Sequence, residues 1–167
     1  MPVSLGGDDG VPQFKTKRRV PFTPGEMYAV AADVEKYPDF LPLCTGLTVL
    51  SRTPRDGAGE DLTATMRVGY KAIKETFTTR VVLMPDTNSI DVFYLDGPFK
   101  RLENRWRFLE AEGGSDIDFF IDYEFKSPML GMLVGGMFDQ AFRKFAEAFE
   151  LRARKIYGAV PLFPPST

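Results

Sequence analysis

The sequence predicts an α+β fold, a curved antiparallel sheet wrapped around one long C-terminal helix. Three observations predict it. Between residues 46 and 125 apolar side chains recur at every second position, in runs separated by short turns. From 128 to 157 they recur with the helical period, and no other segment is long enough to cover the dry face of such a sheet. The chain has 167 residues, 44% of them hydrophobic, which fits one domain with a real core.

The elements follow in order. Residues 13–20 read as a first strand, with Phe14, Thr16, Arg18 and Val20 on one side. Thr23-Pro24-Gly25-Glu26 is a helix start: Thr23 caps, Pro24 suits the first helical position, and Glu26 completes a capping box. This helix stops ahead of Pro38. Residues 37–44 hold two prolines among apolar side chains and read as a short helical turn or a greasy loop. Leu47 and Val49 begin a strand that ends at Pro54-Arg55-Asp56-Gly57. Leu62, Ala64, Met66, Val68 and Tyr70 then share a face, followed by Ile73, Phe77, Thr79, Val81 and Leu83 on the next strand. Residues 89–95 form a shorter strand. Leu102, Asn104, Trp106 and Phe108 alternate with charge, and so do Ile117, Phe119, Ile121, Tyr123 and Phe125. Short turns between such runs make an antiparallel meander with one wet and one dry face.

Ser127-Pro128 opens the last helix, expected to run unbroken to about Tyr157, with Gly158 as its stop. At roughly 1.5 Å per residue it would be about 45 Å long. Its apolar stripe takes in Leu130, Leu133, Val134, Met137, Phe138, Ala141, Phe145, Phe149 and Ile156. Gly131, Gly135 and Gly136 soften its first half, because glycine costs a helix interior about 1 kcal/mol relative to Ala. Residues 13–158 are therefore read as a single domain, 1–12 as a disordered lead-in and 159–167 as a flexible Pro-rich tail.

Composition excludes several chemistries. The chain has no His, which removes Ser-His-Asp and Cys-His nucleophile activation and His-ligated metal sites. One cysteine, Cys44, excludes an internal disulfide. A net charge of −2 argues against a general nucleic-acid binder. No stretch is long and apolar enough to span a membrane. The first residues lack the basic start and apolar core of a signal peptide.

Five motifs carry a resemblance: RRVPFTPGEMYAVAADVEKYPDFLPLC at 18–44, VGYKAIKETFTTRV at 68–81, DGPFKRLENRWRF at 96–108, IDYEFKSPML at 121–130 and AFELRARKIYG at 148–158. Together they resemble the coenzyme Q-binding protein family of the START-like (polyketide cyclase/lipid transport) superfamily, which is related to a bacterial ribosome-association toxin. The resemblance implies a helix-grip fold and a hydrophobic tunnel that takes up ubiquinone to support respiratory electron transport. It implies no catalysis and no catalytic cofactor. It also implies a bacterial protein that is cytoplasmic or peripheral to the inner membrane, since the long targeting sequences of mitochondrial members have no match here. One departure stands out: family members often carry Trp after FLP, and this chain has Leu43.

The candidate ligand-binding residues are Phe40, Leu41 and Leu43 of the greasy loop, Val68, Tyr70, Phe77, Trp106, Phe119, Tyr123 and Phe125 of the dry sheet face, and Leu130, Val134 and Phe138 of the last helix. For each of them plain core packing is the alternative. Asn104 and Tyr70 are polar groups placed to meet quinone oxygens, and Glu75 falls between Ile73 and Phe77, as a ligand group or an exposed strand edge. Cys44 reads as a small buried apolar residue. Lys15, Lys17, Arg18 and Arg19 read as a solvated strand or as a contact to anionic lipid or ribosomal RNA. Two other functions compete with the quinone carrier: a ribosome-binding regulator, which needs a basic face, and an aromatase/cyclase-type enzyme, which needs convergent polar groups deep in a pocket.

Overall fold

The period-two runs become seven strands in the computed structural model, which describes residues 13–158. They are β1 (Gln13–Val20), β2 (Cys44–Pro54), β3 (Glu60–Tyr70), β4 (Ile73–Met84), β5 (Ser89–Asp96), β6 (Phe99–Ala111) and β7 (Gly114–Phe125). The segments 1–12 and 159–167, expected to be lead-in and tail, lie outside the described residues.

The strands form one antiparallel sheet in the order β1-β7-β6-β5-β4-β3-β2. Strands β2 to β7 are a meander, and β1 closes the far edge by pairing with β7 from Gln13 opposite Asp122 to Val20 opposite Ser115. Register shifts fall at Cys44/Gly46 and Val49/Ser51 in β2, at Thr78/Thr79 in β4 and at Phe99/Arg101 in β6. Each adds local right-handed twist, and together they curl the sheet into a half-pipe.

Helix α1 (Pro24–Ala32) starts as its sequence dictates. The Thr23 side chain accepts from the Glu26 N–H at 3.1 Å, and Glu26 accepts from the Thr23 N–H at 2.9 Å. A 3-10 turn, Val34–Asp39, follows and carries Pro38.

The C-terminal stretch corrects one expectation, since the single long helix is two. Helix α2 (Pro128–Arg143), capped by Ser127 on the Leu130 N–H at 3.1 Å, ends at Lys144, and α3 (Phe145–Tyr157) resumes at once. No Pro or Gly marks the break. A straight rod about 45 Å long would leave a curved sheet, whereas the bend keeps Phe138, Phe142, Phe145 and Phe149 against it. Leu133 and Ile156, assigned above to the apolar stripe, are exposed.

Two aromatic clusters fill the half-pipe. Phe99, fully buried, stacks on Phe125 at 4.9 Å and meets Phe77, Tyr94, Tyr123 and Phe138. Trp106 meets Phe119 at 4.4 Å and Phe149 at 4.5 Å. Between the clusters the packing leaves a gap.

Candidate functional site: an apolar cavity under the C-terminal helices

That gap is a cavity of about 90 Å³, partly open to solvent. Its floor is the dry face of β2 to β7: Leu47, Ala64, Met66, Val68, Phe77, Thr79, Val81, Ile90, Val92, Leu102, Asn104, Trp106 and Ile121. One wall is Val34, Tyr37, Leu41, Pro42 and Leu43, and the roof is Phe138, Ala141 and Phe142 of α2 with Phe145 and Phe149 of α3.

No Lys, Arg, Asp or Glu lines it. Most of its polar groups are already engaged. The Tyr37 hydroxyl donates to the Ala31 carbonyl. The Trp106 indole N–H donates to Asn104 Oδ1 at 3.1 Å, and the Asn104 amide nitrogen donates to the Phe120 carbonyl at 2.8 Å. The Thr79 hydroxyl and the second lone pair of Asn104 Oδ1 are left for a guest. Such a lining suits a neutral apolar molecule carrying one or two oxygens. Burial pushes the Tyr37 hydroxyl far above its ordinary value, and burial also raises the thiol of Cys44, which lies outside the lining.

The loop 40–43 is held rather than loose. The Leu41 N–H donates to the Tyr37 carbonyl at 2.8 Å, the Cys44 N–H to the Leu41 carbonyl at 3.1 Å, and the Gly69 N–H to the Leu43 carbonyl at 3.0 Å. Leu43 pays for this shape with a φ of 68°, a left-handed backbone that bulky side chains rarely adopt. Strain of this kind costs on the order of 1–3 kcal/mol and gathers at ligand clamps. Here it turns Leu43 into the cavity wall.

Of the candidate ligand-binding residues, the structure brings Leu41, Leu43, Val68, Phe77, Trp106 and Phe138 together around the cavity. The other candidates lie elsewhere. Phe40 packs outside the wall, between Tyr37, Phe149 and the guanidinium of Arg152. Tyr70 is exposed at the tip of the β3–β4 hairpin, under Lys71. Phe119, Tyr123 and Phe125 face inward but are spent on aromatic neighbours: Phe119 on Phe14, Trp106 and Phe145, Tyr123 on Phe99 and Phe142, Phe125 on Phe99 and Phe138. Burial pushes the Tyr123 hydroxyl up to about 12. Val134 is fully buried core, and Leu130 packs half-buried beside it. Glu75 is half-buried and outside the cavity. Alternation sorts inward from outward; it does not tell which inward residues touch each other and which face a void.

Sequence reasoning missed the aliphatic floor and Thr79 as lining residues. Thr79 was legible as the one hydroxyl on a strand face otherwise carrying Phe77, Val81 and Leu83. Of the basic cluster, Arg18 turns inward to Glu150, while Arg19 pairs with Asp116.

Comparison with known proteins places this geometry. A family described as polyketide cyclase / dehydrase and lipid transport matches residues 20–150. The chain belongs to that family, whose START-like fold it shares. Among its relatives, the ribosome association toxin RatA of Escherichia coli strain K12 is 35% identical over 150 residues, 89% of this chain and 91% of the relative. The mitochondrial coenzyme Q-binding protein COQ10 homolog B of Xenopus laevis is 30% identical over 157 residues, 90% of this chain and 62% of the relative. The solution structure of an 18 kDa protein from Caulobacter crescentus, 36% identical, superposes with a TM-score of 0.73 over 89% of this chain and 99% of that one.

Proposed function

We propose that this protein is a carrier for ubiquinone, holding the quinone ring in the cavity under α2 and α3 and catalysing no reaction. One observation carries the reading: the cavity is lined by apolar side chains and the neutral groups of Thr79 and Asn104, with no charged side chain. A quinone ring is apolar with carbonyl acceptors at opposite ends, so the Thr79 hydroxyl donates to one of them. The relative named as coenzyme Q-binding supports the same ligand.

At about 90 Å³ the cavity holds a few water molecules, against the roughly 300–1,000 Å³ of pockets that bury drug-sized ligands. Uptake therefore requires the roof to lift. Helix α2 is suited to this, with Gly131, Gly135 and Gly136 along its length and a break at its end. Purification from a ubiquinone-containing host, solvent extraction and mass spectrometry test the reading. Near-stoichiometric ubiquinone, reduced at least about tenfold by Ala141→Trp, which fills the cavity from its roof, is the expected result. An empty protein that takes up no added ubiquinone overturns it. Charged substitutions at Phe119 or Val134 would test folding instead, since both are core.

A second reading, docking on the ribosome, is supported by the relatives named for that association and by a groove lined by Lys15, Lys17, Arg105 and Arg107. Three of these cations already have carboxylate partners: Lys17 with Asp118, Arg105 with Glu103, Arg107 with Asp91. Co-sedimentation with ribosomes, abolished by Lys15→Glu with Lys17→Glu, would establish it; no co-sedimentation would remove it.

A further inference from the structure

The two ends of the sheet carry opposite surfaces. The turns that follow β3, β5 and β7 share one end with the start of α2, because Tyr70 lies opposite Ile73, Thr78 opposite Asp96 and Phe99 opposite Phe125. The other end gathers the turns beyond Pro54, Met84 and Ala111. That far end exposes Asp56, Asp86, Glu110 and Glu112, and its Arg55 is paired with Asp61.

The near end is apolar and basic. Met129, Met132 and Leu133 on the first turns of α2 are 70%, 87% and 66% exposed, and Tyr70 and Leu95 are exposed beside the turns. Lys71, Lys74 and Lys126 are exposed there with no carboxylate partner among the described residues, and Asp96 is the one exposed carboxylate on those three turns. At the hairpin tip the Lys71 ammonium sits 5.3 Å from the Tyr70 ring centre, a pair with an apolar body and a charged head. Exposed flexible methionines flanked by unpaired lysines match a bilayer on both counts: thioether chains fit irregular acyl surface, and lysines meet anionic headgroups.

We propose that this end of the molecule docks on an anionic lipid bilayer, Met129, Met132 and Leu133 entering the headgroup boundary while Lys71, Lys74 and Lys126 lie against the phosphates. The proposal rests on the carrier reading to the extent that α2 is also the roof of the cavity, so docking would seat the roof where an isoprenoid quinone is dissolved. The acidic far end fixes the orientation by facing away.

Co-sedimentation of the full chain with vesicles tests it. Binding to phosphatidylcholine vesicles containing phosphatidylglycerol is expected, at least about tenfold weaker on phosphatidylcholine alone and weakened by salt. Met132→Glu with Leu133→Glu, and separately Lys71→Glu with Lys74→Glu and Lys126→Glu, should each lose at least about tenfold while keeping the circular dichroism of the parent. These side chains are exposed, so the fold tolerates the changes. Parent-like vesicle binding by both variants, or no binding by the parent, overturns the proposal. So does a dimer that forms through Met132 and Leu133 without vesicle binding, which would make a second copy the occupant. Ubiquinone delivered in detergent micelles separates the two readings. Both variants should take it up as the parent does. Failure of every form to take it up, with vesicle binding intact, removes the carrier reading and leaves the docking surface.

Discussion

Helices α2 and α3 lie end to end with the same aromatic spacing, yet one is anchored and the other is laid on. In α3, Phe149 is fully buried against Tyr37, Phe40 and Trp106. Glu150 takes Arg18 of β1 and Arg154 of its own helix, each at 2.7 Å. The Tyr157 hydroxyl reaches the Glu26 carbonyl of α1 at 3.2 Å. Helix α2 has fewer ties: it holds Val134, Phe138 and Phe142 inward, exposes Met129, Met132 and Leu133, carries Gly135 and Gly136 facing open space, and reaches β1 through the Arg143 guanidinium over Phe14 at 4.7 Å. Helix α3 spends polar groups on its neighbours, whereas α2 is held mainly by apolar contact, which on the proposed reading is what lets it lift and re-form.

The sharpest way to break this contrast is at its strongest anchor. Phe149→Ala should lower unfolding stability by about 3–5 kcal/mol in urea titration, the usual cost of emptying a buried phenyl site. The same truncation at Leu133, exposed on α2, should cost under about 0.5 kcal/mol. Glu150→Ala comes next, at roughly 1–3 kcal/mol. It strands two arginines, but Arg18 is 42% exposed and water takes up part of the loss.

Stiffening α2 should sharpen the contrast from the other side. A methyl group on Gly135 or Gly136 meets nothing within 4 Å, so Gly135→Ala with Gly136→Ala should stabilise the helix by up to about 1 kcal/mol each. Thermal unfolding should rise, and ubiquinone uptake, followed by stopped flow, should slow. Faster uptake would mean that bending of α2 is not what admits the ligand.

Thr79→Val keeps the shape of the floor and removes its hydroxyl, so stability should hold while ubiquinone affinity falls by about fivefold, one neutral hydrogen bond. The smallest effect is on pH. Asp61, beside Arg55 and Arg80, and Asp116, beside Arg19, titrate below their ordinary 3.8 because those guanidiniums favour the charged form. Their folded-state values are depressed, so the stability they add is present above 3.8 and lost as pH falls through the lower folded values. Removing it with Asp61→Asn should flatten the acid limb of a stability-against-pH curve without touching ligand uptake.

What the sequence made legible follows from what periodicity reports. The alternation at 62–68 and 117–125 reports a dry face, and the dry face is where it was expected, though Tyr70, one step further in the same alternation, lies exposed at the hairpin tip. The capping box at Thr23 and the Ser127-Pro128 start are local signals, and both hold. The break at Lys144 has no local signal, because the curvature of a sheet made by distant strands imposes it. Partition of the inward residues was hidden for the same reason. Phe119 and Trp106 look alike along their strands, and only Trp106 reaches the void, because Phe14 of β1 and Phe145 of α3 close over Phe119. Leu43 was legible as greasy but not as strained, since its left-handed backbone is enforced by hydrogen bonds at both ends of the loop.

Amide hydrogen exchange, read peptide by peptide with and without ubiquinone, tests the central claim most directly. In the free protein α2 should exchange well ahead of α3, and ubiquinone should slow α2 and the 40–43 loop while leaving the far-end turns unchanged. Equal protection of the two helices in the free protein, or ubiquinone that leaves α2 as it was, would contradict the account.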